Sequence, residues 1–119
     1  MDKPSAFVIE DDKNLALAFA EAVKEADYDV EVIYDGIVAR QRLVEAPPSL
    51  VILDLHIPNA TRTEILYFIQ SDERFANTRV IVASADAISA DELRNSADLV
   101  LLKPVGFKQL RDMATRLRP

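Results

Sequence analysis

The sequence predicts a doubly wound α/β fold, a five-stranded parallel sheet of order 2-1-3-4-5. Short apolar runs recur at residues 6–10, 30–34, 50–54, 79–83 and 98–102. Segments of helical period separate them, which is how strands and crossover helices alternate in a parallel sheet. Central runs such as Leu50-Val51-Ile52-Leu53 are apolar at every position, as strands covered by helices on both faces must be.

Taken in order, the first strand leads to a helix that starts near Asp12 or Lys13, where Asp suits an N-cap, and runs to about Ala26. Leu15, Phe19, Ala22, Val23 and Ala26 fall on its buried stripe. Asp27 takes the turn, where Gly would bend more easily. The second strand, Val30-Glu31-Val32-Ile33-Tyr34, mixes charge with apolar residues and reads as an edge. A second helix, Ile37 to Glu45, is stopped by Pro47-Pro48, because proline has no amide hydrogen and restrains the residue before it. A third helix covers Glu64 to Ser71 and a short fourth covers Ala90 to Asn95. The last, Phe107 to Leu117, carries Phe107, Leu110, Ala114 and Leu117 at spacings of three and four, which lays them on the sheet.

A chain of 119 residues holds one compact domain, 1–119, and is too short for two of ordinary size. Half its residues are hydrophobic, which excludes the composition of a disordered segment. Without cysteine it has no disulfide, thiolate metal centre or cysteine nucleophile, in keeping with a reducing cytoplasm. Met1-Asp2-Lys3-Pro4-Ser5 lacks a signal peptide's apolar stretch, and no run approaches the roughly 20 apolar residues of a membrane span. The expectation is a soluble, cytoplasmic protein without membrane contact. A net charge of -6 argues against direct nucleic-acid binding, whose affinity comes from clustered Lys and Arg. Lys108, Arg111, Arg116 and Arg118 gather near the end and read as a solvated helix face, near the negative pole of the helix dipole.

Polar groups stand where the strands leave the core: Glu10-Asp11-Asp12, Asp54, Ser84 and Lys103. In a sheet of this order the crevice opens at the carboxyl ends of strands one and three, where the winding reverses. Singly, Asp54 reads as a cap, Ser84 as a loop hydroxyl and Lys103 as a surface cation. Jointly they form a charged constellation. Converging carboxylates repel unless a cation neutralises them, and oxygen ligands favour Mg²⁺. Asp11 and Asp54 are the expected direct ligands, with Glu10 acting through water. The Lys103 ammonium needs an anion, for which Asp54 is the expected partner. Ser84, followed by small Ala85, offers a hydroxyl with open access. Such a set suits phosphoryl transfer, which asks chiefly for positioning and charge neutralisation. Asp54 is then the nucleophile that forms an aspartyl-phosphate.

The same residues, read as Glu10-Asp11-Asp12, Asp54-Leu55-His56-Ile57-Pro58, Ser84-Ala85 and Lys103-Pro104-Val105, resemble the receiver domain of two-component response regulators. The resemblance covers nearly the whole chain. It implies a flavodoxin-like three-layer sandwich and Mg²⁺-dependent phosphoryl transfer onto Asp54 from a histidine kinase or histidine phosphotransfer protein. It further implies a metal site of Glu10, Asp11, Asp54 and the His56 backbone carbonyl, Ser84 and Lys103 on the phosphoryl oxygens, and a cis bond before Pro104. A domain of this kind is a signalling module rather than an enzyme. Its output passes to a downstream protein, and a homodimer would use the face of the fourth helix, fifth strand and fifth helix.

Three departures from the family pattern stand out. Pro58-Asn59-Ala60-Thr61-Arg62-Thr63 replaces the usual glycines, and the chain holds only Gly36 and Gly106. Asn takes positive φ at moderate cost, Arg poorly. The stretch from Ser84 to Lys103 is about three residues short, close to one helical turn. Val100 stands where receivers carry an inward-swinging aromatic. These features favour a competing reading, a pseudo-receiver that keeps the acidic pocket as a phosphorylation-independent interaction domain. A haloacid dehalogenase-type phosphatase needs an Asp-x-Asp motif that Ile9-Glu10-Asp11-Asp12-Lys13 does not supply. A flavodoxin needs a hydroxyl-rich phosphate loop at the same place.

Overall fold

The computed structural model describes residues 2–61, 63–86 and 91–119. Its elements are β1 (Ser5–Ile9), α1 (Lys13–Glu25), β2 (Asp29–Ile33), α2 (Gly36–Glu45), β3 (Leu50–Asp54), α3 (Glu64–Ser71), a 3-10 turn (Glu73–Phe75), β4 (Arg79–Ser84), β5 (Leu99–Leu102) and α4 (Phe107–Arg116). The strands form one parallel sheet of order β2-β1-β3-β4-β5, as the sequence predicts.

Local chemistry sets the helix ends. The Asp12 side chain accepts the Leu15 amide at 3.1 Å, and the Asp35 side chain accepts the Val38 amide at 2.9 Å, so two short carboxylates cap α1 and α2. Asp27 turns the chain into β2 with φ of 74°, a left-handed conformation that Asp tolerates better than most residues. Tyr28 is buried there, and its hydroxyl donates to the Ala114 carbonyl at 2.8 Å, tying the entry of β2 to α4.

Successive strand residues alternate between faces, and the packing divides accordingly. Phe7, Ile9, Val51, Leu53, Val80 and Val82 pack against α2 and α3 through Leu43, Ile65, Leu66 and Ile69. Ala6, Val8, Leu50, Ile52, Ile81 and Ala83 pack against α1 and α4 through Phe19, Val23, Leu110 and Ala114. The result is a three-layer sandwich. On the β2 edge Arg42 meets Glu31 through two bonds of 2.7 and 2.8 Å, a fork that matches a carboxylate and covers the outer strand with charge.

Several expected details differ. On α1, Ala16 and Ala20 are buried where Leu15 is only half-buried, because small side chains let the helix lie close to the sheet. Phe107 is 44% exposed rather than part of the α4 stripe. It is the first residue of α4, and Met113, which the stripe omits, is among the residues packed against this side of the core. The predicted helix from Ala90 to Asn95 begins outside the described residues. Asp91 and Glu92 are helical, but Leu93 to Ser96 turn, with the Ser96 amide bonded to the Leu93 carbonyl at 2.9 Å. Asn95, Ser96 and Asp98 favour turns over helix continuation. Arg62 and its backbone also lie outside the described residues.

Candidate functional site

Strand register builds the site. Ile9 pairs with Leu53, so Glu10, the next residue, comes level with Asp54; Asp54 pairs with Ala83, and Ser84 with Leu102, one residue before Lys103. Alternation then assigns the faces. Glu10, Asp54 and Lys103 continue the rows of Val8, Ile52 and Leu101 on the α1 and α4 side. Ser84 continues the row of Val82 on the other side. Three charged groups therefore converge, while Ser84 stands in the row of the other face.

The distances agree. Carboxylate oxygens of Glu10, Asp11 and Asp54 lie within 4.8 Å of one another. Lys103 Nζ stands 2.7 Å from Glu10 Oε1 and 3.5 Å from Asp54 Oδ2. The nearer partner is Glu10, not Asp54 as the sequence suggests, because strand pairing lifts Glu10 fully into the crevice, where it is 1% exposed. Asp54 is 5% exposed, whereas Asp11 is open to solvent. Each buried carboxylate takes one backbone amide two residues on: Glu10 Oε2 from Asp12 at 3.3 Å, and Asp54 Oδ1 from His56 at 3.0 Å. The second oxygen of each faces the shared ammonium. Buried charge here is paired and hydrogen-bonded, the condition under which it is tolerated.

Burial pushes the Glu10 carboxyl up to about 7, with the neighbouring Asp54 adding to the rise and Lys103 opposing it. For Lys103, burial works against the ammonium, but the hydrogen bond to Glu10 and the charge of Asp54 outweigh it and hold the pKa above its ordinary value. A lysine that stays charged between two carboxylates gives the pocket a fixed cation. The excess of negative oxygens over cations, with Asp11 at the open side, is a donor set that fits a hard divalent ion.

Ser84 is fully buried, and its hydroxyl accepts the Asp86 amide at 3.1 Å. It is therefore engaged by its own loop instead of standing open beside Ala85. Asp12 serves as the α1 cap, and the His56 side chain is exposed. The Lys103–Pro104 peptide is cis. Asn59, in the glycine-free loop after β3, has φ of 63°, so Asn supplies the left-handed residue there. A groove of about 500 Å³ lies at the amino ends of β4 and β5, lined by Ile69, Phe75, Val80 and Asp98 among others, away from this chemistry.

Comparison with known proteins agrees with this geometry. The family model described as the response regulator receiver domain matches residues 6–115. The chain is 29% identical over 119 residues to the sensor histidine kinase TmoS of Ectopseudomonas mendocina, covering 98% of this chain and 12% of that protein. It is 27% identical over 106 residues to the response regulator ArlR of Staphylococcus saprophyticus, covering 87% of this chain and 47% of the relative. The chain thus spans less than half of either protein. Among solved structures, a CheY-like response regulator receiver domain from Methylobacillus flagellatus superposes with a TM-score of 0.86, covering 98% of this chain and 100% of the other; at 16% identity this is a likeness of fold. With the family match extending over nearly its full length, the chain belongs to the receiver domains of two-component response regulators.

Proposed function

We propose that Asp54 accepts a phosphoryl group from a histidine kinase or histidine phosphotransfer protein, and that the domain, acting as one unit over residues 1–119 in the cytoplasm, signals by contact with a downstream protein. The observation that carries this reading is the meeting of Glu10, Asp11 and Asp54 within 4.8 Å, under a lysine shared by the two buried carboxylates. Glu10, Asp11, Asp54 and the His56 backbone carbonyl would hold Mg²⁺, which when bound offsets the charge of the carboxylates and of the entering phosphoryl group. Asp54 supplies the nucleophile: one carboxylate oxygen bonds to phosphorus as the N–P bond of the donor phosphohistidine breaks, and the imidazole nitrogen keeps the electron pair. Lys103 exchanges part of its contact with Asp54 for a phosphoryl oxygen. Ser84 must turn its hydroxyl away from Asp86 to do the same, and that turn couples the pocket to the β4 loop.

Leu102 and Phe107, 45% and 44% exposed, lie on the surface beside β5 and α4 where such a change would be read. A homodimer through the face of residues 90–95, β5 and α4 is the self-association this surface would support; part of that face lies outside the described residues. No helix among the described residues is long and apolar enough to cross a membrane.

Acetyl phosphate with Mg²⁺ is expected to add one phosphoryl group to the wild-type chain and none to Asp54→Asn, read by intact mass. Wild-type protein that binds Mg²⁺ yet stays unlabelled at saturating donor would leave a phosphorylation-independent interaction domain as the function.

A further inference from the structure

The loop that follows Asp54 carries the groups that complete its site, and it has no glycine of its own. Leu55 and Ile57 are buried and pin its first half to the α2 and α3 side of the core. Its turn, Pro58-Asn59-Ala60, rests on the first residue of α2. The Gly36 amide donates to the Pro58 carbonyl at 2.8 Å. A Cβ on Gly36 would stand 2.4 Å from the Ala60 Cβ, 3.0 Å from the Asn59 carbonyl oxygen and 3.2 Å from the Ala60 nitrogen. Gly36 does not have positive φ. What glycine supplies here is space, not backbone freedom: two backbones touch where any side chain would hold them apart. Reaching an ordinary contact of 3.4 Å from 2.4 Å would move the turn by about 1 Å. His56, whose amide holds Asp54 Oδ1 at 3.0 Å, lies only two residues before the Pro58 anchor.

We propose that Gly36 is a positioning residue for the acceptor site, a brace on α2 that sets how closely the loop after β3 lies over Asp54. The proposal rests on the phospho-acceptor reading and adds to it a residue on a different element, outside the charged cluster. It also explains how the chain manages without glycines in the loop itself. The close approach is provided by the opposing backbone, and the left-handed turn by Asn59.

The test compares wild type, Gly36→Ala, Ala60→Gly and the double variant. The first readout is the amide shifts of His56 and Asn59 in metal-free protein, followed by Mg²⁺ affinity and the rate of Asp54 labelling by acetyl phosphate. Gly36→Ala should move both amides, weaken Mg²⁺ binding and slow labelling on the order of tenfold, because small misplacements at a reacting centre are costly. The double variant removes the methyl-to-methyl contact at 2.4 Å, the tightest of the three, and should return all three readouts part of the way toward wild type, which a merely destabilising change would not do. Ala60→Val crowds the same contact from the loop side without altering α2 and should repeat the loss. Unchanged amides and Mg²⁺ affinity in Gly36→Ala and Ala60→Val, or a loss that the double variant does not relieve, would overturn the brace. If wild type takes no phosphate at all, the acceptor reading fails, while the amide shifts and Mg²⁺ affinity still decide the role of Gly36.

Discussion

β3 and β5 end at the same edge of the sheet in different surroundings. All five residues of β3 are buried, whereas Leu99, Val100 and Leu101 are half-buried and Leu102 is 45% exposed. β3 lies between β1 and β4 with helices over both faces, while β5 is an outer strand. One face of β5 meets α4. Among the described residues, the other packs through Val100 against the cluster that holds Leu93 and Val82. Asp54 is therefore fixed by dense packing, and Lys103 extends from a strand with fewer apolar neighbours, where local motion costs less. In the proposed reading, charge is accepted on the more deeply buried strand and answered from the more exposed one.

That contrast can be broken by substitution. Leu53→Ala should lose roughly 2–5 kcal/mol of unfolding free energy, the usual cost of a cavity under a fully buried leucine, measured by urea denaturation. Lys103→Ala should cost about 2 kcal/mol in Mg²⁺-free protein, below the range for a fully buried pair because the lysine side chain keeps 20% exposure. Added Mg²⁺ should restore most of that loss and bind nearly as well as to wild type, while the response to phosphate weakens. Equal loss of metal binding and phosphate response would contradict the separate roles given to the carboxylates and the ammonium.

A pH dependence follows from the buried pair. The Glu10 carboxyl is raised from 4.5 to about 7, chiefly by burial, so the folded chain holds this proton more tightly than the unfolded one. Without Mg²⁺ the corresponding stability is complete below pH 4.5 and is lost as pH rises through about 7. Glu10→Gln has no such proton and should flatten the decline. Thermal midpoints taken from about pH 5 to about pH 8 would show this, and identical slopes in the two proteins would contradict it. Smallest of all, Leu102→Ala should change stability by less than about 0.5 kcal/mol, as expected at an exposed position. A loss near that of Leu53→Ala would erase the contrast between the strands.

Much of this was legible in the chain because apolar runs and breakers are local signals. The bounds of β3 and α3 match the predicted ones, Asp12 caps α1, and Asp27 and Asn59 occupy the two positive-φ positions among the described non-glycine residues. The meeting of Glu10, Asp11 and Asp54 was legible too, since strand ends in a parallel sheet share one edge. What the sequence hides depends on register and on contact between distant backbones. Lys103 faces Glu10 more closely than Asp54 because the two carboxylates come level, which no single strand reveals. Ser84 looked open beside Ala85, yet pleat parity turns it to the other face and its loop takes the hydroxyl. Phe107 fits a helical stripe by spacing, yet as the first residue of α4 it is exposed. Gly36 shows nothing in sequence beyond a glycine after Asp35; its need for space appears only when Ala60 is seen against it.

In the proposed function the buried carboxylate at the end of β3, and not its exposed neighbour Asp11, takes the phosphoryl group. Borohydride reduces an acyl phosphate to an alcohol, so treatment after incubation with acetyl phosphate and Mg²⁺ marks the acceptor for peptide mass mapping. Homoserine is expected at position 54, with Glu10 and Asp11 unmodified. Reduction at Asp11, or none anywhere in protein shown to bind Mg²⁺, would contradict it.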